Sequence, residues 1–168
     1  RVELGGWYEE VFYSLYRIAL SMEFLKYPWT EVEEAYYKAF NYCKIRAEPL
    51  YNIARHYRIN NEFETGYKIA KKASHIPYPE KCVLFVFKDM YDYKFLDELS
   101  LCAHGLGKFH EAYSITKKIL DSGLIPKDDI PRIKENMEAS EKQMNEKNKK
   151  LCCIYAGDEI VNKDSILM

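Results

Sequence analysis

At 168 residues with 48% hydrophobic content, the chain can bury one core, or one core and a fragment of a second, so a single domain is expected. Its 25 basic and 26 acidic residues are interspersed and leave a net charge of -1, which favours neither a phosphate backbone nor an anionic membrane surface as partner. The apolar run Val83 to Phe87 is far too short to span a bilayer, and five scattered cysteines without a Cys-x-x-Cys pair (Cys43, Cys82, Cys102, Cys152, Cys153) match the usage of a reducing, cytoplasmic compartment.

Arg1 to Gly6 carries no initiator Met and ends in Gly5-Gly6, a natural stop for a helix begun earlier, so an excised segment is expected. From Trp7 to Lys26 the spacing of Val11, Phe12, Leu15, Ile18, Ala19, Met22 and Leu25 predicts a helix with a broad apolar face, closed by Pro28. Thr30 and Glu33 have the spacing of a capping box, which predicts a second helix through Val32, Ala35, Tyr36, Ala39 and Phe40.

The stretch Arg46 to Ile76 is the clearest in the chain. Leu50, Ile53, Ala54 and Tyr57 fall at helical spacing, as do Phe63, Gly66, Tyr67, Ala70 and Ala73, with the polar turn Asn60-Asn61 between them. These residues resemble the tetratricopeptide template without a gap: Ile53 and Ala54 take its Leu-Gly places, Tyr57 its Tyr, Phe63 the aromatic after the turn, and Gly66, Ala70 and Ala73 the small places. Helices cross closely only where side chains are short, so Ala54 is expected to face Gly66 and Ala70. Ala39 and Ala73 lie 34 residues apart, one template period, which makes Trp7 to Tyr42 a first copy.

A third copy, Leu96 to Ile119, is displaced by about twelve residues, and the surplus must lie in Pro77 to Asp92. The Pro77-Tyr78-Pro79 start bars a continuous helix, and the run Val83 to Phe87 is read as a buried connector of strand-like composition, with helix resuming near Asp89 or Met90. After a Ser122-Gly123 turn, Pro126 to Lys150 has acidic residues at its start, lysines at its end and a thin apolar face at Ile130, Ile133, Met137 and Met144, which suits a terminal capping helix. Leu151 to Ala156 reads as a short strand entering a Gly157-Asp158 turn. The fold class expected is therefore all-α, a tetratricopeptide-like α-α superhelix of about three helix pairs plus a C-terminal cap over residues 1–150. Residues 151–168 are a linker or the start of a truncated following domain.

Three phrases go beyond a generic repeat: GGWYEEVFYSLYRIA at Gly5 to Ala19, RAEPLYNIARHYR at Arg46 to Arg58, and PYPEKCVLFVFKDMYDYKFLDELS at Pro77 to Ser100. Together they resemble the tetratricopeptide-like helical region attached to family-2-type glycosyltransferases of bacteria and large DNA viruses, over about Arg1 to Ser140. The resemblance implies a parent whose catalytic domain precedes this region and holds a nucleotide sugar through a divalent metal on an Asp-x-Asp pair. No Asp-x-Asp occurs here, so no catalytic residue and no metal or cofactor is assigned to this segment. What the resemblance implies for the segment itself is a scaffold that positions domains or acceptor, or mediates self-association. The alternative is a free-standing adaptor that binds peptide partners in a concave groove.

Binding residues are sought on the inner helices: Tyr16, Asn52, Arg55 and Arg58. The aromatic cluster Trp7, Tyr8, Phe12, Tyr13 and Tyr16 suits either ring stacking on a ligand or a core stripe. Arg46, Glu48, Arg55 and Arg58, with Asp97 and Glu98, suit either a charged groove or ion pairs between neighbouring helices. A clamp for a peptide carboxylate has Asn52 and Lys94 in place, but Glu98 stands where its second base should be. His56, His75, His104 and His110 lack zinc-site spacing, and no nucleophile triad or phosphate loop is present.

Overall fold

The computed structural model describes the backbone of residues 7 to 164 and the side chains of residues 7 to 149. Arg1 to Gly6, with the helix end expected there, lie outside the described residues. Among the described residues every regular element is helical: α1 (Tyr8–Phe24), α2 (Trp29–Tyr42), α3 (Glu48–Ile59), α4 (Phe63–Ser74), a π-helical turn (Met90–Lys94) running into α5 (Phe95–Gly105), then α6 (Phe109–Ser122) and α7 (Ile130–Asp164). Each helix packs on the next, and α3 also touches α5, as α5 touches α7.

The three helix pairs share one turn. In each, a residue with left-handed backbone follows the first helix: Lys26 (φ 59°), Asn61 (φ 62°) and Gly107 (φ 70°). The next amide then reaches back five residues, Tyr27 to Met22, Glu62 to Tyr57 and Lys108 to Ala103, at 3.0, 2.8 and 2.9 Å. This bond closes a helix C-terminus and reverses the chain, so the pair comes out antiparallel. An aromatic residue, Trp29, Phe63 or Phe109, opens the second helix each time. The first pair has one extra turn residue, Pro28.

Burial follows the small residues. Ala19, Ala39, Ala47, Ala54, Ala73 and Ala103 are fully buried, and a Cβ placed on Gly66 would stand 3.2 Å from the Ala54 carbonyl. Around these contacts apolar side chains gather serially. One cluster joins Phe12, Tyr16, Tyr36, Leu50 and Ile53 across α1 to α3; a second joins Ala54, Ala70, Leu99 and Cys102; a third joins Tyr93, Ile119 and Ile133 under α7. No single centre exists, as expected where each repeat hides its face against its neighbours.

Three expectations are corrected. The Thr30–Glu33 capping box does not form: α2 starts at Trp29, Thr30 sits inside its first turn, and the Pro28 carbonyl accepts from Glu31 and Val32 at 3.0 and 3.2 Å. Pro28 presets the entry, and Glu33 instead accepts from the Tyr57 hydroxyl. The strand expected at Leu151 to Ala156 is helix, because α7 continues to Asp164. Glu138 to Lys150 contains no Gly or Pro, and a helix already nucleated propagates through a short apolar run at little cost. Finally, the run Val83 to Phe87 is not a buried connector. Val83, Phe85 and Phe87 are 77%, 56% and 40% exposed, while Cys82 is buried and Leu84 and Val86 are half-buried.

Candidate functional site

The odd-numbered helices carry the residues sought as binding groups, and each polar side chain is already engaged. Tyr16 on α1 and Asn52 on α3 are both buried, and the Asn52 amide donates to the Tyr16 hydroxyl at 2.8 Å and to the Glu48 carbonyl at 3.2 Å. Burial pushes the Tyr16 phenol pKa up, so the hydroxyl stays a neutral partner. Arg55 on α3 pairs with Glu23 on α1 at 2.8 Å, Arg58 on α3 with Glu98 on α5 at 2.5 Å, and Arg132 on α7 with Asp97 on α5 at 2.9 Å. One ion pair thus bridges each successive couple of odd helices, α1 to α3, α3 to α5 and α5 to α7.

This ladder cancels the charges of the odd-numbered helices pair by pair. The carboxylate clamp lacks free members: Asn52 is spent on Tyr16, Lys94 pairs with Asp89 at 2.5 Å, and Glu98 holds Arg58. Burial is the main influence on both Asp97 and Glu98 and raises their pKa values despite the adjacent arginines. A carboxyl that holds its proton more tightly folded than unfolded favours folding at low pH, and that advantage is lost as pH rises through the raised value. Glu98→Gln removes this dependence. The variant should therefore gain on the wild type as pH climbs from about 4 to about 7, read from thermal melts at each pH. A difference between the two that stays level with pH would mean that Glu98 is not desolvated.

Three of the four histidines make local contacts. His56 lies flat on Trp29 with ring centres 3.3 Å apart, His75 Nδ1 meets the Lys71 carbonyl at 2.6 Å, and His104 Nδ1 meets Ser140 Oγ at 2.9 Å. Among the described residues no group of three or more His, Cys, Asp or Glu side chains is placed to hold a metal ion. No helix there is long and apolar enough to cross a membrane.

Arg46 leaves the groove set altogether. It precedes α3, is fully buried, and pairs with Glu48 through Nε at 2.9 Å and Nη2 at 2.8 Å. Its guanidinium lies over the Phe12 ring at 4.5 Å, and the two outer nitrogens donate to the Leu84 and Phe85 carbonyls at 3.1 and 3.0 Å. Burial works against the Arg46 charge, but the bonds and field of Glu48 more than offset it and its pKa rises. From the other side, Glu9 on α1 accepts the Val83 and Leu84 amides on one oxygen at 2.9 and 2.7 Å. The segment around Val83 to Phe85, bent at Leu84 and Phe85, is therefore strapped across α1 and the start of α3 by its main chain. The Tyr91 hydroxyl completes the cluster, donating to Glu48 and accepting from the Ala47 amide.

No protein-family model matches this chain, and no curated protein matches it significantly.

Sequence reasoning named Arg46 and Glu48 but missed Glu9, Tyr91 and the strap main chain. Glu9 left a trace: at helical spacing it shares a face with Phe12 and Tyr16, and a carboxylate on an apolar stripe needs a partner. The partner is backbone some 74 residues away in sequence, which no side-chain pattern records.

Proposed function

We propose that this chain is a non-catalytic helical-repeat scaffold of a glycosyltransferase, which positions the parent's domains or its acceptor, or mediates self-association, in the cytoplasm. The ion-pair ladder carries the reading: the polar groups of the inner helices are spent on joining neighbouring repeats, as suits a rigid spacer and not a reaction centre. In this reading the divalent metal and nucleotide sugar belong to the parent's catalytic domain, and the curvature of the stack is that of a tetratricopeptide-like superhelix. The test is transfer from a panel of nucleotide sugars with Mg2+ or Mn2+, run on this chain and on the product of the whole reading frame. Turnover is expected from the second alone. Turnover by this chain, or none by either, overturns the proposal.

The second reading, an adaptor that binds peptide partners, is favoured by Trp7, Tyr8, Val83, Phe85 and Phe87, large apolar side chains at least 40% exposed at the N-terminal end of α1 or on the strap. For that reading Arg55→Glu is informative. Opposing Glu23 with a like charge at a half-exposed site should cost only about 1 kcal/mol of stability, so a loss of partner binding beyond that would place the groove in use.

A further inference from the structure

α7 is much longer than the body it caps. Its Ile133 and Ser140 are buried against the preceding helices, and Met144 is half-buried. From Asn145 to Lys149 every side chain is exposed, yet the helix runs on to Asp164, about 30 Å past Met144. An extension of that length containing Gly157 is marginal as an isolated helix in water and gains most of its stability from a packed apolar face.

The sequence of the extension continues the seam by which α7 packs on the body. Ile130, Ile133, Met137, Ser140 and Met144 recur at alternating intervals of three and four residues, and the same alternation gives Lys147, Leu151, Ile154, Asp158 and Val161. This is the heptad spacing of a two-stranded coiled coil. Two members of the continued seam are charged, with opposite signs, and their places decide how two copies can pair. In a parallel pair, like positions meet, so Lys147 opposes Lys147 and Asp158 opposes Asp158. In an antiparallel pair with its two-fold axis between Leu151 and Ile154, Leu151 of one copy meets Ile154 of the other, Lys147 meets Asp158, and Met144 meets Val161, each layer occurring twice. Every layer is then apolar against apolar or cation against anion. A slip of one heptad sets Asp158 against Ile154 or Lys147 against Leu151.

We propose that residues 144–161 of α7 form an antiparallel two-stranded coiled coil with a second copy of this chain, its direction and register set by the two Lys147–Asp158 layers. This rests on the self-association included in the scaffold reading and names the element that carries it. Such an interface is isologous and closes after two chains. Charged seam residues lower its stability but exclude the parallel and slipped pairings. Six layers make a small interface, so a dissociation constant on the order of 10 µM is expected.

The experiment is sedimentation velocity on the whole chain in reducing buffer, where monomer should give way to dimer between about 1 and about 200 µM. Lys147→Glu or Asp158→Lys alone puts like charges into both charged layers and should weaken dimerisation at least about tenfold. Lys147→Glu with Asp158→Lys reverses each pair and should return to within about threefold of the wild type. Ile154→Asp should leave a monomer throughout. All three positions lie past Met144, so at monomeric concentrations every variant should melt at the temperature of the wild type. A wild type that stays monomeric across the range overturns the proposal, as does a dimer indifferent to the single charge reversals or to Ile154→Asp. A markedly earlier melt of monomeric Ile154→Asp also overturns it, because the extension would then pack on its own chain. The transferase assays decide separately: a monomer whose whole reading frame transfers sugar refutes the coiled coil alone, and a dimer without such transfer refutes the glycosyltransferase parent alone.

Discussion

Arg46→Ala should lower the thermal midpoint by on the order of 10 °C, the equivalent of about 3 to 5 kcal/mol in a chain of this size. The guanidinium is fully buried, and its removal leaves Glu48, also fully buried, with only the Tyr91 hydroxyl against one oxygen. It also removes the donors from the Leu84 and Phe85 carbonyls, which are only partly buried and add less to the loss than the abandoned Glu48 charge. If the loss comes from an abandoned charge, then removing both charges should recover part of it. Arg46→Met with Glu48→Gln is therefore expected to be less damaging than the sum of the single variants by about 1 to 3 kcal/mol, a coupling that urea titration of the four proteins in the cycle would measure. Strict additivity would mean that the pair does not act as a unit and that Arg46 matters only through the strap.

The size of that expected loss explains why part of this molecule could be read from its sequence and part could not. The hairpin at Arg46 to Ile76 was legible because its determinants are local: small residues at helical spacing, a polar turn and an aromatic after it, all within one period. The same rules located the first and third pairs, whose turns repeat the same left-handed residue and back-reaching amide. The strap was opaque because its composition says only that it is apolar. Whether such a run is covered, or covers something else, depends on Glu9 and Arg46 far away in the chain, and those two residues bond to its backbone. The same ambiguity of short apolar runs accounts for Leu151 to Ala156, which adopts the conformation of the long polar helix leading into it. Among the groove residues, the sequence supplied candidates of the right type but not their pairing, since Glu23 and Arg132 were never marked as the partners of Arg55 and Asp97.

Gly66→Leu tests the packing on which the stack depends, and its sign discriminates. At an exposed position in mid-helix, replacing Gly by Leu should stabilise the chain, by up to about 1 kcal/mol from helix propensity alone. Gly66 is not exposed: a Cβ there would stand 3.0 Å from Cys102 Sγ on α5, 3.2 Å from the Ala54 carbonyl and 3.4 Å from the Arg58 amide on α3. A leucine must push both helices away, so the expected outcome is a loss of about 1 to 3 kcal/mol by overpacking. Gly66→Ala lies between these limits, with the propensity gain set against contacts that must yield by a few tenths of an ångström, and should come out near neutral. The two obstacles differ in kind. The backbone of α3 belongs to the same hairpin and cannot be trimmed, whereas the sulfur of Cys102 belongs to the next hairpin and can. Cys102→Ala should therefore be less costly beside Gly66→Ala than alone, and that recovery, measured by thermal melts, reports contact between the second and third hairpins through a single glycine. A stabilised Gly66→Leu variant would remove the close crossing of α3, α4 and α5 and, with it, the reason for the small residues to recur.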